Sequence, residues 1–325
     1  MAKHMRVARG RGAVLIIGAT GFIGRFIAEA SLESGRPTYL LVRSLLSSSS
    51  SKANAINSLQ HKGAIVLHGM INEKEAMEKM LRENEIEVVI SAVGGRDLKD
   101  QVGLVQAIKA VGTIKRFLPS EFGHDVDRAD PIEPALTAYK EKRKIRRLIE
   151  DLGVPHTYIC CNSIAAWPYH DKTHDALPPL DQFQIYGDGS VKAYFVTGND
   201  IGKFTIKIVD DVRTLNKRVH FRPTCNFYDI KELACLWETK IGRTLPRITI
   251  TENDILLVAA ENSMPRSIIA ALTHDIFFKG CQVNFKIDGG EDVELSSLYP
   301  HESFQTLDGS FTDFAAELNI KSVVK

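Results

Sequence analysis

The chain has 325 residues, with 41 Lys and Arg against 40 Asp and Glu, a formal charge of +1. Hydrophobic residues make up 44% and charged residues 25%, the balance of a globular chain rather than a disordered or collagen-like one. Near-neutrality argues against whole-surface attraction to nucleic acid or an anionic membrane, and no apolar run approaches the ~18 residues of a membrane-spanning helix, so neither partner is expected. Length alone suggests two domains or one large α/β domain. The five cysteines, Cys160, Cys161, Cys225, Cys235 and Cys281, are odd in number and form no CxxC pair. That supports neither a disulfide framework nor a metal cluster. Buried, reduced thiols in a cytoplasmic compartment are expected instead. Arg6, Arg9 and Arg11 before the apolar run 13–17 imitate a secretory leader, but the run is too short and meets Gly18.

That run, Val14–Ile17, predicts a buried first strand. A glycine-rich turn follows, then a helical pattern over Ile23–Glu33 closed by Gly35. Further strands are predicted at Thr38–Val42, Ala64–Leu67, Val88–Val93, Ile114–Leu118 and Thr157–Cys160. Helices are predicted between them at Lys52–Gln60, Glu73–Arg82, Leu98–Ala110 and Pro134–Asp151. Strands without polar alternation, separated by helices, indicate a parallel sheet covered on both faces, a doubly wound α/β fold. The five serines Ser47–Ser51 read as a surface loop. After Cys161 the rhythm loosens around Pro168, Pro178 and Pro179. Strands at Lys192–Val196, Arg218–Phe221 and Ile248–Thr251 then alternate with helices at Asp200–Val209, Ile230–Thr239, Ile255–Ala260 and Arg266–Leu272.

Gly18-Ala19-Thr20-Gly21-Phe22-Ile23-Gly24 joins the first strand to the first helix. Glycines there permit a tight turn and close approach to a pyrophosphate, which the helix N-terminus binds through free N–H groups. An NAD site would end the second strand in a carboxylate. Here it ends in Arg43, a guanidinium suited to a 2′-phosphate, and Lys52 stands ready as a second cation. Val93 and Gly94 end the fourth strand, where small residues let a cofactor cross the sheet edge.

The fifth strand runs into Pro119-Ser120-Glu121-Phe122-Gly123-His124. Ligands of open α/β sheets bind beyond the carboxyl ends of the strands, which puts His124 near a nicotinamide. Phe122 either stacks on that ring or packs. The next helix carries Tyr139, a candidate substrate contact, and Lys142 on one face. Position 143 is Arg, so the Tyr-x-x-x-Lys arrangement of ordinary short-chain dehydrogenases is absent. Ser163 is a candidate for the substrate pocket wall.

Gly18–Gly24, Arg43, Pro119–Gly123 and the basic helix Tyr139–Arg147 together resemble the plant isoflavone-reductase-like family, atypical short-chain dehydrogenases/reductases that use NADPH on phenolic substrates. The resemblance covers nearly the whole chain. Ile159-Cys160-Cys161-Asn162, Gln184–Gly189 and Thr273–Ile276 are similar to the leucoanthocyanidin reductases within that family, which reduce a flavan-3,4-diol to a 2,3-trans-flavan-3-ol. The resemblance implies a Rossmann-type doubly wound parallel sheet over residues 10–161, with later segments returning to it. A smaller α/β substrate-binding domain over 162–325 is implied beside it. It implies NADPH as cofactor and a small phenolic, flavonoid substrate. The family's catalytic lysine aligns with Lys142, a cofactor contact with Arg146 and a substrate contact with His274. The diol's C4 hydroxyl is benzylic and para to a phenol. Its loss gives a quinone methide that accepts hydride at C4. This chemistry needs a base and an acid beside the nicotinamide, and His124 and Lys142 are expected to share those roles. Relatives that act on phenylcoumaran benzylic ethers, lignans or isoflavones give the alternative activities. An NADP-binding redox-sensing regulator is the alternative outside enzymes.

Overall fold

The structure is a computed structural model that describes residues 11–43, 50–164 and 179–317. Its first half alternates strand and helix: β1 (Ala13–Ile17), α1 (Phe22–Glu33), β2 (Thr38–Val42), α2 (Ser50–His61), β3 (Ile65–His68), α3 (Lys74–Glu83), β4 (Ile86–Ser91), α4 (Gln101–Val111), β5 (Arg116–Leu118), α5 (Ala135–Asp151) and β6 (Thr157–Cys160). Five of these strands form a parallel sheet in the order β3-β2-β1-β4-β5. Both faces are covered, which explains the unbroken apolar runs. Along β1, Val14 and Ile16 face one layer with Ile27 and Ala28 of α1. Leu15 and Ile17 face the other, with Leu81 of α3 and Leu104 of α4. Period-two alternation therefore feeds two apolar layers instead of one apolar and one wet face.

The second half contains β7 (Ser163–Ile164), β8 (Phe183–Tyr186), β9 (Ala193–Val196), α6 (Gly198–Ile208), β10 (Lys217–His220), β11 (Phe227–Tyr228), α7 (Ile230–Ile241), β12 (Arg247–Ile250), α8 (Glu252–Ala260), α9 (Arg266–Phe277), β13 (Asp292–Glu294), α10 (Leu295–Leu298) and α11 (Leu307–Glu317). Part of it rejoins the first sheet. Phe117 of β5 bridges to His156, and its N–H donates to Pro155 O at 2.8 Å. β6 then pairs in parallel with β10, and β10 with β13. α6 packs against α1, with Ile201 and Phe204 in the same core as Ile27.

The remaining elements build a second core around Trp237, Phe183, Phe195, Phe277 and Phe311. β9 is flanked there by β7 and β11, and β8 pairs with β12. Val126, Ala129 and Tyr139 from the first half pack into this same core, so the two cores share a wall at α5. β8 falls where the sequence suggested only loop. Its Phe183, Ile185 and Tyr186 are buried, yet the proline-rich approach masks so short a strand. Residues 47–49 of the serine tract, together with Pro168 and Pro178, lie outside the described residues, and Ser50 and Ser51 open α2. Among the described residues no helix is long and apolar enough to cross a membrane.

Candidate active site

Every loop that carries a predicted site residue of the first half leaves the carboxyl end of a strand: 18–21 after β1, 92–94 after β4, 119–125 after β5 and 161–162 after β6. Gly18 adopts φ +83°, and a Cβ there would stand 2.5 Å from Ala92 O. A Cβ on Gly24 would stand 2.1 Å from Gly18 O. Only glycine lets α1 sit so close upon the turn. The capping residue of α1 is Gly21, with no side-chain cap and no acidic residue in the first turn. Its amide dipoles are therefore left for an outside anion. Ala19 is buried, whereas Thr20, Phe22 and Ile23 remain partly accessible around that opening. This backbone cradle fits a dinucleotide pyrophosphate.

Arg43 follows β2 and is exposed, with its guanidinium 3.1 Å from Asp97 of the loop after β4. Val93 and Gly94 lie in that same loop, partly or fully accessible. Lys52 is exposed on α2, and no contact joins it to Arg43 among the described residues. The cradle and Arg43 thus suit a phosphorylated ribose, with Asp97 as an internal partner that a phosphate must displace.

The chemical groups converge from three places. His124 Nδ1 lies 2.8 Å from Tyr139 Oη on α5. Its Nε2 lies 3.2 Å from Gln282 Nε2, in the turn after α9. One α-helical turn past Tyr139, Lys142 donates from Nζ to the backbone oxygen of Glu121 at 2.7 Å, with the ammonium 6.0 Å from the Tyr139 ring centre. Gln282 also donates to Ser163 Oγ at 2.7 Å. Burial, with help from the Lys142 charge, pulls the His124 imidazole down to about 4, so the ring is neutral at pH 7. Burial lowers Lys142 as well, opposed by Glu121 and reinforced by Arg146. Tyr139 is pushed up by burial and neighbouring Cys281 and Asp275, and stays a phenol. The set therefore holds an imidazole that is neutral at pH 7 together with a buried lysine that gives up its proton more readily than a free one.

Arg146 is a correction to the expected cofactor contact. Its side chain is fully buried and pairs with Glu121 at 2.7 Å, Asp125 at 2.7 Å and Asp127 at 3.0 Å. A guanidinium with no accessible surface and three carboxylate partners presents nothing to a cofactor. It anchors the 121–127 loop instead. His274 is also nearly buried. Its Nε2 lies 2.8 Å from Glu252 of α8 and its ring stacks on Phe278. No contact among the described residues brings it to His124 or Lys142. Phe122 is partly buried with φ +41°. Asn162, at φ +61°, ties β6 to its surroundings: its amide donates to Phe221 O at 2.9 Å and its N–H to Gly123 O at 3.0 Å. Cys160 and Cys161 are fully buried, and burial raises the Cys161 thiol to about 12; both are wall, not nucleophile. Sequence reasoning missed Gln282 and the roles of Glu121 and Asp125. Glu121 lies in the 119–123 segment, but nothing in that segment names Arg146 as its partner, and Gln282 and Asp125 sit in no such segment.

Residues 11–311 match the NmrA-like family. A leucoanthocyanidin reductase of Desmodium uncinatum is 62% identical over 94% of this chain and 81% of its own length. A phenylcoumaran benzylic ether reductase of Ginkgo biloba is 44% identical over 94% of this chain and 99% of its own. The solved binary complex of leucoanthocyanidin reductase with NADPH from Vitis vinifera superposes with a TM-score of 0.91 at 63% identity, covering 94% of this chain and 100% of that one. The chain belongs to the NmrA-like family, in its isoflavone-reductase-like branch.

Proposed function

We propose that this protein is an NADPH-dependent reductase that removes the C4 hydroxyl of a flavan-3,4-diol and yields a 2,3-trans-flavan-3-ol. The observation that carries the reading is the 62% identity over 94% of the chain to the Desmodium uncinatum leucoanthocyanidin reductase. The Ginkgo biloba benzylic ether reductase stands much further off at 44%.

Gly18, Ala19, Thr20, Gly21, Phe22, Ile23 and Gly24 would hold the pyrophosphate, and Arg43, with Lys52 nearby on α2, the 2′-phosphate. Val93, Gly94 and Phe122 would line the nicotinamide half. When bound, NADPH supplies the hydride that C4 receives. The chain's own residues handle the protons. His124, neutral at working pH, accepts the proton of the phenol para to C4, whose oxygen keeps the electron pair. Lys142, the one cation beside that imidazole among the described site residues, donates a proton to the departing C4 oxygen, which leaves as water. Loss of both groups gives the quinone methide, an electrophile at C4. Tyr139 orients His124, and Ser163 and His274 are assigned to the substrate side. Five free thiols, two of them exposed, suit a reducing compartment such as the cytoplasm.

The test is product identification. The protein is incubated with NADPH and, separately, flavan-3,4-diols, a lignan and a coniferyl ester. A flavan-3-ol from the diol is expected. A benzylic ether or lignan product without any flavan-3-ol would overturn the substrate assignment.

A further inference from the structure

Gln282 is 1% exposed and uses its whole side-chain amide. Its Oε1 accepts the backbone N–H of Tyr194 on β9 at 2.8 Å. That bond fixes which way the amide points, because the reverse orientation would set two donors against each other. The NH2 group therefore faces the other two partners, Ser163 Oγ at 2.7 Å and His124 Nε2 at 3.2 Å. A nitrogen that faces an amide N–H must offer a lone pair. The proton of a neutral imidazole then sits on Nδ1, directed at Tyr139 Oη 2.8 Å away.

We propose that Gln282 is a positioning residue that locks His124 in the Nδ1–H tautomer, so that Nε2, beside Ser163, is the atom that takes the substrate's proton. The inference rests on the reading of His124 as the proton acceptor and names the atom. The transfer balances: the substrate O–H bond breaks, its electron pair stays on oxygen, and the proton forms a bond to Nε2. The Gln282 amide must then yield its place, since an Nε2–H and an amide N–H cannot share one contact. The groups that face the ring are Tyr139 and Lys142 from α5, with Asp275 of α9 and Cys281, each with a ligand-type atom within 4.8 Å of an imidazole nitrogen. One oxygen of Asp275 is buried without a hydrogen-bond partner. None of these groups reaches Nε2 in the way Gln282 does.

The experiment reads the tautomer directly in the full-length protein with 15N-labelled histidine, the His124 signals being assigned by their loss in His124→Gln. Wild type at neutral pH should show a protonated Nδ1 and an unprotonated Nε2. In Gln282→Glu, a carboxylate faces Nε2 and should draw a proton onto it. A wild-type signature of protonated Nε2, or unchanged His124 signals in Gln282→Glu, would overturn the proposal. The near-isosteric Gln282→Met keeps the volume and removes the hydrogen bonds. It should lower kcat at least about tenfold, as loss of an orienting partner does, while NADPH affinity holds. A kcat within about twofold of wild type would equally overturn it. The nuclear magnetic resonance readout needs no substrate. A correct tautomer with no product from the diol therefore indicts the substrate reading alone.

Discussion

Lys142 and Arg146 stand one helical turn apart on α5 and grip the same residue. Lys142 holds the backbone oxygen of Glu121, and Arg146 holds its carboxylate. The arginine thus sets the loop against which the lysine is aimed. Removing it strands the buried Glu121 carboxylate and leaves Asp125 only the more distant Arg128 and Arg218, so Arg146→Met should destabilise the fold by about 3–5 kcal/mol, read as a fall in the urea midpoint. At the cofactor end the Arg43–Asp97 pair is more exposed, with Arg43 63% accessible. Such a pair contributes at most about 1 kcal/mol, so a phosphate readily displaces Asp97. Arg43→Ala should raise the NADPH Kd far more than the NADH Kd in titrations. Equal losses would remove Arg43 from the 2′-phosphate site. The pH–rate profile should report the two proton carriers. Activity should fall on the acid side as His124 protonates near 4. On the alkaline side it should fall below the ordinary lysine value of 10.5, because burial lowers Lys142. The glycines, Arg43, Lys142 and His124 were legible because a strand, a turn and a helix fix their places locally. Gln282 was not, since its partner His124 lies 158 residues away. For Arg146 the motif suggested a ligand contact, and only the folded loop shows three carboxylates around it.

Among the elements, α1 and α6 pack closely through two glycines of α6. A Cβ on Gly202 would lie 2.3 Å from Phe26 O, and one on Gly198 would enter the Phe26 ring at 2.1 Å. At Gly202 backbone meets backbone, and neither side can yield as a side chain would. Gly202→Val should therefore destabilise the protein by about 1–3 kcal/mol or more, seen as a lower melting temperature. The same substitution at Gly94, where nothing lies within 4 Å of the added carbon, should leave melting nearly unchanged. The strands β1 to β6 were readable because a doubly covered sheet demands unbroken apolar runs. β13 was not. Its three residues, Asp292, Val293 and Glu294, carry one apolar side chain, and its Asp292 is held by ion pairs with Arg128 and Arg218 and by His220. Electrostatic pairing places that strand, and hydrophobic periodicity cannot see it.

At the scale of the molecule, the His124 imidazole is held from both halves of the chain: His124 and Tyr139 come from the first half, Gln282 from the second. Keeping that ring neutral affects overall stability. The folded value of about 4 lies below the ordinary 6.5 of an unfolded chain, so the unfolded state binds the extra proton first. His124 thus weakens the fold progressively as pH falls from 6.5 toward 4, by about 2 kcal/mol at pH 5. Denaturant midpoints at pH 7 and pH 5 should differ more in wild type than in His124→Gln. A difference of the same size in both would show that the ring carries no such linkage. The order of the parallel strands reaches further still. β6 finds its outer neighbour only in β10, and β10 finds its own in β13. A growing chain on the ribosome therefore displays an unpaired strand edge from about residue 160 until residue 294 has emerged. During that interval the open edges of β6 and then β10 are available for wrong pairing.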